Sequence, residues 1–493
     1  MRENAISMRI GRVIVCGCLL TMSVLSGRTA LGGSDTTFYV VRHAEQAGTP
    51  TDAPLTEQGM RRAEELREVL KDVSLSAVYA TQTLRTFQTA TPVAAEAGLD
   101  ISTYDGSADQ TAFWAKLLKH KHAGKSVLIV GHSTTVGNIV QLLGGTTVPP
   151  IDNAYDRLFV VTLRDGVATT EQRRYHVLEV GKAAFDLGLP SELKNISAIA
   201  AGPGNHVLVA GDDETNSLQV LVLQKNGRYQ AQKPIALVSP ESKEIDIEGI
   251  TRHGTDSVFY VIGSHDARRH RIKDQSNPVQ EVRERFEKKP KQETAREFLM
   301  RLEINPETGR LVQSWPQPSL HDDIMSHPVL SGFYGVASKE NGIDIEGIAS
   351  DGQRLYIGFR GPVLRYGMTP VLVFDADDHR QAGQVRYVAL QGLGIRDMAR
   401  VDGGFLIIAG PAGDLPRNFR LFHWDGNDCL PGQRSAGDAP QGRVTLLGTI
   451  PAPPGAAPEG LAVLGASTDS YDLLIVYDGP PGGQPTRVRA ARP

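Results

Sequence analysis

Two hydrophobic patterns divide the chain near residue 185. Before it, apolar runs of a few residues alternate with longer segments in which apolar residues recur every three or four positions. After it, helical spacing almost disappears, and short apolar runs recur between turns that contain glycine, aspartate or asparagine. The first pattern predicts strands that alternate with amphipathic helices, and the second predicts an all-β region.

The region from residue 36 to about residue 180 is predicted to be an α/β three-layer sandwich. Alternation of buried strands with helices implies a mostly parallel sheet with helices on both faces. The expected elements are strand 38–41, helix 56–70, strand 76–80, helix 83–97, helix 109–122, strand 126–130 and helix 136–143.

Basic and imidazole side chains follow the strands of this predicted sheet. Arg42 and His43 come directly after the first strand, His132 follows a later one, and Arg85 lies just inside a helix. Loops beyond the carboxyl ends of parallel strands form the ligand crevice in such folds. A guanidinium matches phosphate oxygens with a planar fork of donors, and a neutral imidazole can attack phosphorus. The sequence therefore predicts a site for phosphoryl chemistry at this edge.

Four short motifs occur in order along this region. They are Val41-Arg42-His43-Ala44-Glu45, Leu55-Thr56-Glu57-Gln58-Gly59, Tyr79-Ala80-Thr81 with Arg85-Thr86 and Gln88-Thr89-Ala90, and Val130-Gly131-His132-Ser133. Over about residues 36–176 the sequence resembles the histidine phosphatase (phosphoglycerate-mutase-like) superfamily. The resemblance implies that His43 is a nucleophile that forms a phosphohistidine. It also implies that Arg42, Arg85 and His132 bind the phosphoryl oxygens.

The resemblance further implies a carboxylate that protonates the leaving group. We predict Asp105 for this role, with Asp109 and Glu45 as alternatives. The chain lacks the long insertion that mutase members use around their substrate, which favours hydrolysis of a small phosphorylated substrate. Because the two arginines and His132 supply positive charge, we expect no metal ion or other cofactor in this reaction.

An internal repeat predicts a β-propeller over residues 185–493. The sequence Ile-Asp-Ile-Glu-Gly-Ile at 245–250 recurs at 343–348, and weaker relatives occur at 195–199, 395–399 and 458–462. We align these repeats on residues 197, 248, 346, 397 and 459. Two of the four intervals are 51 residues, about the size of a four-stranded blade. The longest interval contains a charged stretch at 265–296, interpreted as an insertion without strands or as an extra blade, so five or six blades are expected.

These repeats, with the stretch 392–399, resemble a propeller-like family without assigned function. If the repeats are innermost strands, their carboxylates point toward the mouth or channel of the propeller. Asp246, Glu248, Asp344 and Glu346 could together hold Ca²⁺, which prefers several oxygen ligands. We favour the alternative that these carboxylates, with Asp397 and Glu459, bond to neighbouring backbone and join adjacent blades.

The first thirty residues have the pattern of a secretory signal. Basic residues precede an apolar run at 13–25, and small residues follow up to Ala30. The run is shorter than a membrane-spanning helix needs, so cleavage is expected rather than an uncleaved anchor. We therefore expect a secreted or periplasmic protein without a stable membrane span. Cys429 would then be the one remaining cysteine of three.

The balance of charged residues limits the kinds of partner that the protein can bind. Lysine and arginine number 52 against 56 aspartate and glutamate residues, a balance that argues against a nucleic-acid partner. The sequence as a whole predicts an exported, metal-independent phosphomonoesterase whose propeller could bind a protein or an envelope component. Two alternatives remain open: a protein phosphohistidine phosphatase, and a binding module in which the propeller works and the phosphatase domain is vestigial.

Overall fold

The computed structural model describes residues 35–48, 52–107, 118–151, 154–181, 185–239, 241–270, 279–378, 383–413, 418–430 and 441–493. The expected signal sequence and most of the helix expected at 109–122 lie outside these residues. Within them, the chain forms an α/β domain followed by an all-β propeller, as the sequence predicts. No helix among the described residues is long and apolar enough to cross a bilayer.

The α/β domain is built on one six-stranded sheet in the order β3-β2-β4-β1-β5-β6. Its strands are β1 (Thr36–Arg42), β2 (Leu75–Thr81), β3 (Ile101–Tyr104), β4 (Ser126–Gly131), β5 (Arg157–Arg164) and β6 (Val167–Arg174). Its helices are α1 (Glu57–Leu70), α2 (Leu84–Ala97) and α3 (Val136–Leu142). Strands β1 to β4 are parallel, β5 pairs antiparallel with β1, and β6 pairs antiparallel with β5.

Both faces of this sheet are covered by helices. Phe38 and Val40 of β1 belong to the core cluster that contains Ile139 of α3. The intervening residues Tyr39 and Val41 belong to the cluster on the other face, with residues of α1 and α2. Because both faces of β1 are buried, its residues 38–41 are continuously apolar, and polar residues stand only at its two ends.

The second domain has five blades, so the sixth blade allowed by the sequence is absent from the described residues. Blades 1 and 2 contain β8 (Ile196–Ala201), β9 (Val207–Asp212), β10 (Ser217–Leu223), β11 (Tyr229–Ala231), β12 (Ile235–Ala236), then β13 (Ile247–His253), β14 (Val258–Gly263), β17 (Leu299–Ile304) and β18 (Leu311–Pro316). Blades 3 and 4 contain β19 (Asp344–Ser350), β20 (Arg354–Gly361), β21 (Met368–Asp375), β22 (Gln384–Ala389), then β23 (Gly394–Val401), β24 (Gly404–Gly410), β25 (Arg420–Trp424) and β26 (Val444–Thr449). Blade 5 contains β27 (Ala457–Ala466), β28 (Ser470–Asp478), β29 (Thr486–Ala491) and β7 (Glu179–Val180).

Strand β7 closes the ring from outside the expected propeller boundary. It pairs antiparallel with β29, so that a segment preceding blade 1 completes blade 5. Residues Glu179 and Val180, which the sequence analysis assigned to the end of the first domain, therefore belong to the propeller. This pairing ties the segment that precedes blade 1 to the last blade by a backbone ladder.

The charged stretch 265–296 lies inside blade 2, between β14 and β17. It contains the short paired strands β15 (Ala267–Arg268) and β16 (Lys291–Gln292), together with helix α4 (Val279–Glu287). The stretch is therefore an insertion, but the expectation that it contains no strand is wrong. A further short helix, α5 (His321–Ser326), lies between blades 2 and 3.

Each innermost strand has an irregularity at the same place in the repeat. The register shifts at Ser197, Glu248, Glu346, Arg396 and Glu459, as a β-bulge requires. The alignment of Asp397 with these positions is therefore wrong by one residue.

The two domains contact each other through α1 and blade 4. Glu65 accepts hydrogen bonds from the N–H and the hydroxyl of Thr449, at 3.2 and 2.7 Å. Glu68 forms an ion pair with Arg420 and accepts a hydrogen bond from Asn418 at 3.1 Å. Helix α1, which begins within the second motif, is thus bonded to the propeller.

Candidate active site

The structure brings Arg42, His43, Arg85 and His132 to the carboxyl edge of the parallel strands. The N–H of His43 donates to the carbonyl of Gly131 at 2.9 Å, which continues the pairing of β1 with β4. The ring centroids of His43 and His132 are 5.3 Å apart. Arg85 Nη2 lies 3.4 Å from His132 Nδ1. Two imidazoles and two guanidinium groups from distant parts of the chain therefore share one site.

The Thr89 hydroxyl links helix α2 to the loop that carries His43. The Thr89 hydroxyl accepts a hydrogen bond from the N–H of Ala44 at 2.9 Å and donates to the carbonyl of Arg85 at 2.7 Å. One residue earlier, Gln88 Oε1 accepts from the N–H of Leu55 at 2.8 Å. Through these bonds the Gln-Thr pair of the third motif holds Arg85 next to the loop that carries His43.

The second motif anchors the same loop to α1. The Thr56 side chain accepts a hydrogen bond from the N–H of Gly59 and so caps the helix. The N–H of Thr56 donates to the carbonyl of Glu45 at 2.8 Å. A Cβ on Gly59 would lie only 2.3 Å from that carbonyl oxygen, so no larger residue fits without displacing the loop.

Hydrogen bonding and burial determine the protonation state of His43. Its Nδ1 donates to the carbonyl of Ala44 at 2.7 Å, which leaves the lone pair on Nε2. Burial lowers the pKa of His43 to about 4; the bond to Ala44 opposes this shift, while the charges of Arg42 and Arg85 add to it. The imidazole is therefore neutral at physiological pH.

His132 is held from both sides of its ring. Because a guanidinium can only donate, Nδ1 faces Arg85 as an acceptor, and Nε2 donates to the Thr81 hydroxyl at 2.8 Å. The Thr135 hydroxyl accepts from the N–H of His132 at 2.9 Å. Burial and the charges of the two arginines lower the pKa of His132 to about 4. In the free protein this ring is also neutral.

Tyr155 is a site residue that the sequence analysis missed. Its ring lies 4.0 Å below the guanidinium carbon of Arg42, and its hydroxyl accepts from Arg42 Nη2 at 3.2 Å. The carbonyl of Ile151 accepts from Nη1 at 3.1 Å. Tyr155 lies in the loop before β5, outside every motif, so no pattern in the sequence indicates it.

The three carboxylates considered for proton donation have different surroundings. Asp105 follows β3, is exposed, and accepts a hydrogen bond from the N–H of Ser107 at 2.9 Å. A Cβ on Gly106 would lie 3.9 Å from the His132 ring, so this loop borders the site. Glu45 instead forms an ion pair with the buried Arg62, with bonds of 2.6 to 3.0 Å. Asp109 lies outside the described residues.

The acidic repeat residues lie near the propeller axis, and most of them pair with arginines. Glu346 lies 2.8 Å from Arg360, which is also 3.7 Å from Asp344, and Arg396 contacts both Glu346 and Glu459.

Asp246 pairs in the same way with Arg296. Asp397 instead accepts from the backbone N–H of Leu461 at 2.6 Å and so links blades 4 and 5. Among these acidic residues, Asp397 therefore bonds to the backbone of the next blade, as expected. The side chains that form ion pairs instead are Asp246, Asp344, Glu346 and Glu459.

Comparison with known proteins separates the same two parts. The model of the histidine phosphatase superfamily (branch 1) matches residues 38–110, and that of the family described as protein of unknown function (DUF3616) matches residues 195–491. No curated protein matches the chain.

Three solved structures illustrate the similarity. The protein histidine phosphatase SixA complexed with tungstate is 22% identical with a TM-score of 0.25, over 28% of this chain and 96% of its own. Phosphoglycerate mutase from Bacillus anthracis is 18% identical (TM-score 0.23; 29% and 94%). Mycobacterial glucosyl-3-phosphoglycerate phosphatase is 13% identical (TM-score 0.24; 29% and 98%). The chain belongs to the DUF3616 family, and its N-terminal part is a histidine phosphatase superfamily domain.

Proposed function

We propose that this protein is an exported phosphomonoesterase that hydrolyses a small phosphorylated substrate through a phosphohistidine on His43. The observation that carries the proposal is the Nε2 lone pair of a buried, neutral imidazole beside Arg85, Arg42 and His132. Export is supported by the basic and apolar pattern of residues 1–30.

The chemistry requires positive charge around a phosphoryl group in transfer. Negative charge is spread over the three equatorial oxygens, so positioned donors supply most of the rate enhancement. Arg42 is oriented by Tyr155, and Arg85 lies against His132. A bound phosphoryl dianion favours the protonated form of His132, which then becomes a further donor. These groups supply the charge that a metal ion would otherwise provide.

The reaction proceeds in two displacements. In the first, the lone pair of His43 Nε2 forms a bond to phosphorus, the bond from phosphorus to the ester oxygen breaks, and Asp105 protonates the departing oxygen. In the second, the Asp105 carboxylate takes a proton from water while the water oxygen attacks phosphorus. The phosphorus–nitrogen bond then breaks, and neutral His43 and inorganic phosphate are released.

The acid limb of the pH profile tests the state of the nucleophile. We expect kcat/KM, which reports the free enzyme, to fall only as pH drops below about 4, because protonation of His43 removes its lone pair. An ordinary histidine would lose activity near pH 6.5. The measurement is kcat/KM between pH 3 and pH 8, corrected for the titration of the substrate by ³¹P NMR. An enzyme limb near pH 6.5 after this correction would contradict the expectation.

Leaving-group dependence tests Asp105. Replacing Asp105 with asparagine is expected to lower kcat/KM for an alkyl phosphate by about 100-fold or more, because an alkoxide needs a proton as it departs. p-Nitrophenyl phosphate, whose leaving group needs little protonation, should lose much less. Glu45→Gln is the matched comparison: it weakens the ion pair with Arg62, so both substrates should be affected alike. Equal losses for Asp105→Asn on the two substrates would exclude it as the acid.

A further inference from the structure

The bulge residues of the five inner strands differ in charge around the propeller axis. Glu346, Arg396 and Glu459 alternate in sign, and Arg396 contacts both carboxylates. The hydroxyl of Ser197 donates to the carbonyl of Ile247 in the next blade. Glu248 lies between Ser197 and Glu346 in this ring, so it has no basic bulge residue on either side.

The neighbouring strand explains why Glu248 also lacks an arginine within its own blade. In blade 3, Phe359 pairs with Ile345, and the next residue is Arg360, which neutralises Glu346. In blade 2, Gly263 pairs with Ile247, and the next residue is Ser264. The two blades therefore share the acidic repeat, but blade 2 lacks the cation that balances it in blade 3.

Three carboxylates meet at this place. One oxygen each of Asp213, Asp246 and Glu248 lies within 4.8 Å of the other two. Glu248 is only 9% exposed, and its carboxylate has no hydrogen-bond or ion-pair partner within the described part of the chain. Asp213 Oδ1 is buried and likewise accepts no hydrogen bond there. Buried oxygens without donors indicate that a bound proton or cation completes the site.

Arg296 does not supply the missing charge. It pairs with Asp246, but it also pairs with Asp266 at 2.8 Å and with Glu244. Burial and the charge of Asp246 raise the pKa of Asp213 to about 8, and burial raises the pKa of Asp246 to about 7 although Arg296 opposes this shift. Burial and repulsion by Asp246, Glu346 and Asp213 raise the pKa of Glu248 well above its ordinary value. Ionising all three groups together is therefore unfavourable until a cation lies among them.

We propose that Asp213, Asp246 and Glu248 bind one divalent cation, with Ca²⁺ as the ion their chemistry favours. All three ligands are hard carboxylate oxygens on an irregular turn and a bulge, and Ca²⁺ accepts the flexible geometry that Mg²⁺ does not. Asp213 follows β9 of blade 1, whereas Asp246 and Glu248 belong to the start of blade 2. The cation would therefore join these two blades and would take no part in the chemistry at the phosphoryl site.

Calcium binding to the intact, chelator-treated chain tests this proposal. We expect one saturable Ca²⁺ site per chain by isothermal titration calorimetry, with a Kd below about 1 mM, and a Tm that rises with Ca²⁺ concentration. Glu248→Gln and Asp213→Asn should each weaken binding at least about tenfold while removing little volume. Glu307→Gln is the control: it removes one carboxylate from an exposed turn between β17 and β18 of the same blade, so Ca²⁺ affinity should be unchanged.

The outcomes separate a cation site from a proton site. The proposal is overturned if the wild-type chain shows no saturable Ca²⁺ uptake. It is also overturned if Glu248→Gln and Asp213→Asn bind Ca²⁺ as tightly as the wild type does. A Tm that responds to acidification but not to Ca²⁺ would show that the carboxylates bind protons instead. The chelator should leave phosphatase turnover unchanged at temperatures where the chain stays folded, so failure of either proposal is recognised independently.

Discussion

Replacing His43 with alanine is expected to lower kcat for p-nitrophenyl phosphate by at least about 10⁴-fold, because removal of a covalent nucleophile leaves only binding and electrostatic assistance. His43 is almost fully buried and packs beside His132, and it is the residue whose Nε2 lone pair is directed by the bond from Nδ1 to Ala44. Steady-state kinetics of the purified variant measure the loss. KM should change far less than kcat.

His120→Ala is the matched control, since His120 is an exposed histidine of the same domain and should give a fully active enzyme. Rapid mixing of wild-type enzyme with substrate should trap an acid-labile phosphoryl group that is absent from His43→Ala. If turnover survives in His43→Ala, the phosphohistidine mechanism fails. Catalysis would then lie elsewhere in the chain, and the alternative with a vestigial phosphatase domain would gain support.

The architecture of the first domain could be predicted because its strands are buried on both faces. Continuous apolar runs mark β1 and β4, and each run ends at the first polar residue with a chemical role, Arg42 or His132. Parallel pairing of β1 with β4 then brings these strand ends together. Two short motifs were thus sufficient to predict which side chains meet.

Orientation within the site could not be predicted in the same way. The stacking of Arg42 on Tyr155 depends on a loop whose path is set by tertiary contacts, with no periodicity to indicate it. The same holds for the predicted proton donor, Asp105. Asp105 is exposed beside the site, and its own sequence neighbours do not specify which way its carboxylate points when substrate is bound.

The wrong alignment of Asp397 in the propeller results from a local departure from strand geometry. Side chains alternate along a regular strand, but a bulge inserts one residue and reverses the alternation. Aligning repeats by acidic residues therefore selected Asp397, although Arg396 occupies the bulge. Strand β7 was missed because two residues carry no pattern, and its partner β29 lies at the other end of the propeller sequence.

Replacing Arg85 with alanine is expected to lower kcat/KM for p-nitrophenyl phosphate by about 10²- to 10³-fold, the usual cost of losing one donor to transition-state charge. A second effect follows from electrostatics. The charge of Arg85 lowers the pKa of both His43 and His132, so its removal should raise both pKa values. The acid limb of kcat/KM should then shift to higher pH, and the loss measured at pH 5 should exceed the loss at pH 7.

Two further variants test whether these effects are specific to the guanidinium of Arg85. Arg85→Lys retains the charge without the planar fork, so it should keep the acid limb near that of the wild type while recovering only part of the rate. Arg164→Ala removes an exposed arginine of the same domain that pairs with Asp35, and it should change neither quantity. A large loss of rate in Arg85→Ala with an unmoved acid limb would mean that Arg85 binds phosphate without setting the protonation of the two histidines. Because the Thr89 hydroxyl bonds to both the His43 loop and the carbonyl of Arg85, Thr89→Val should reproduce both changes in weaker form.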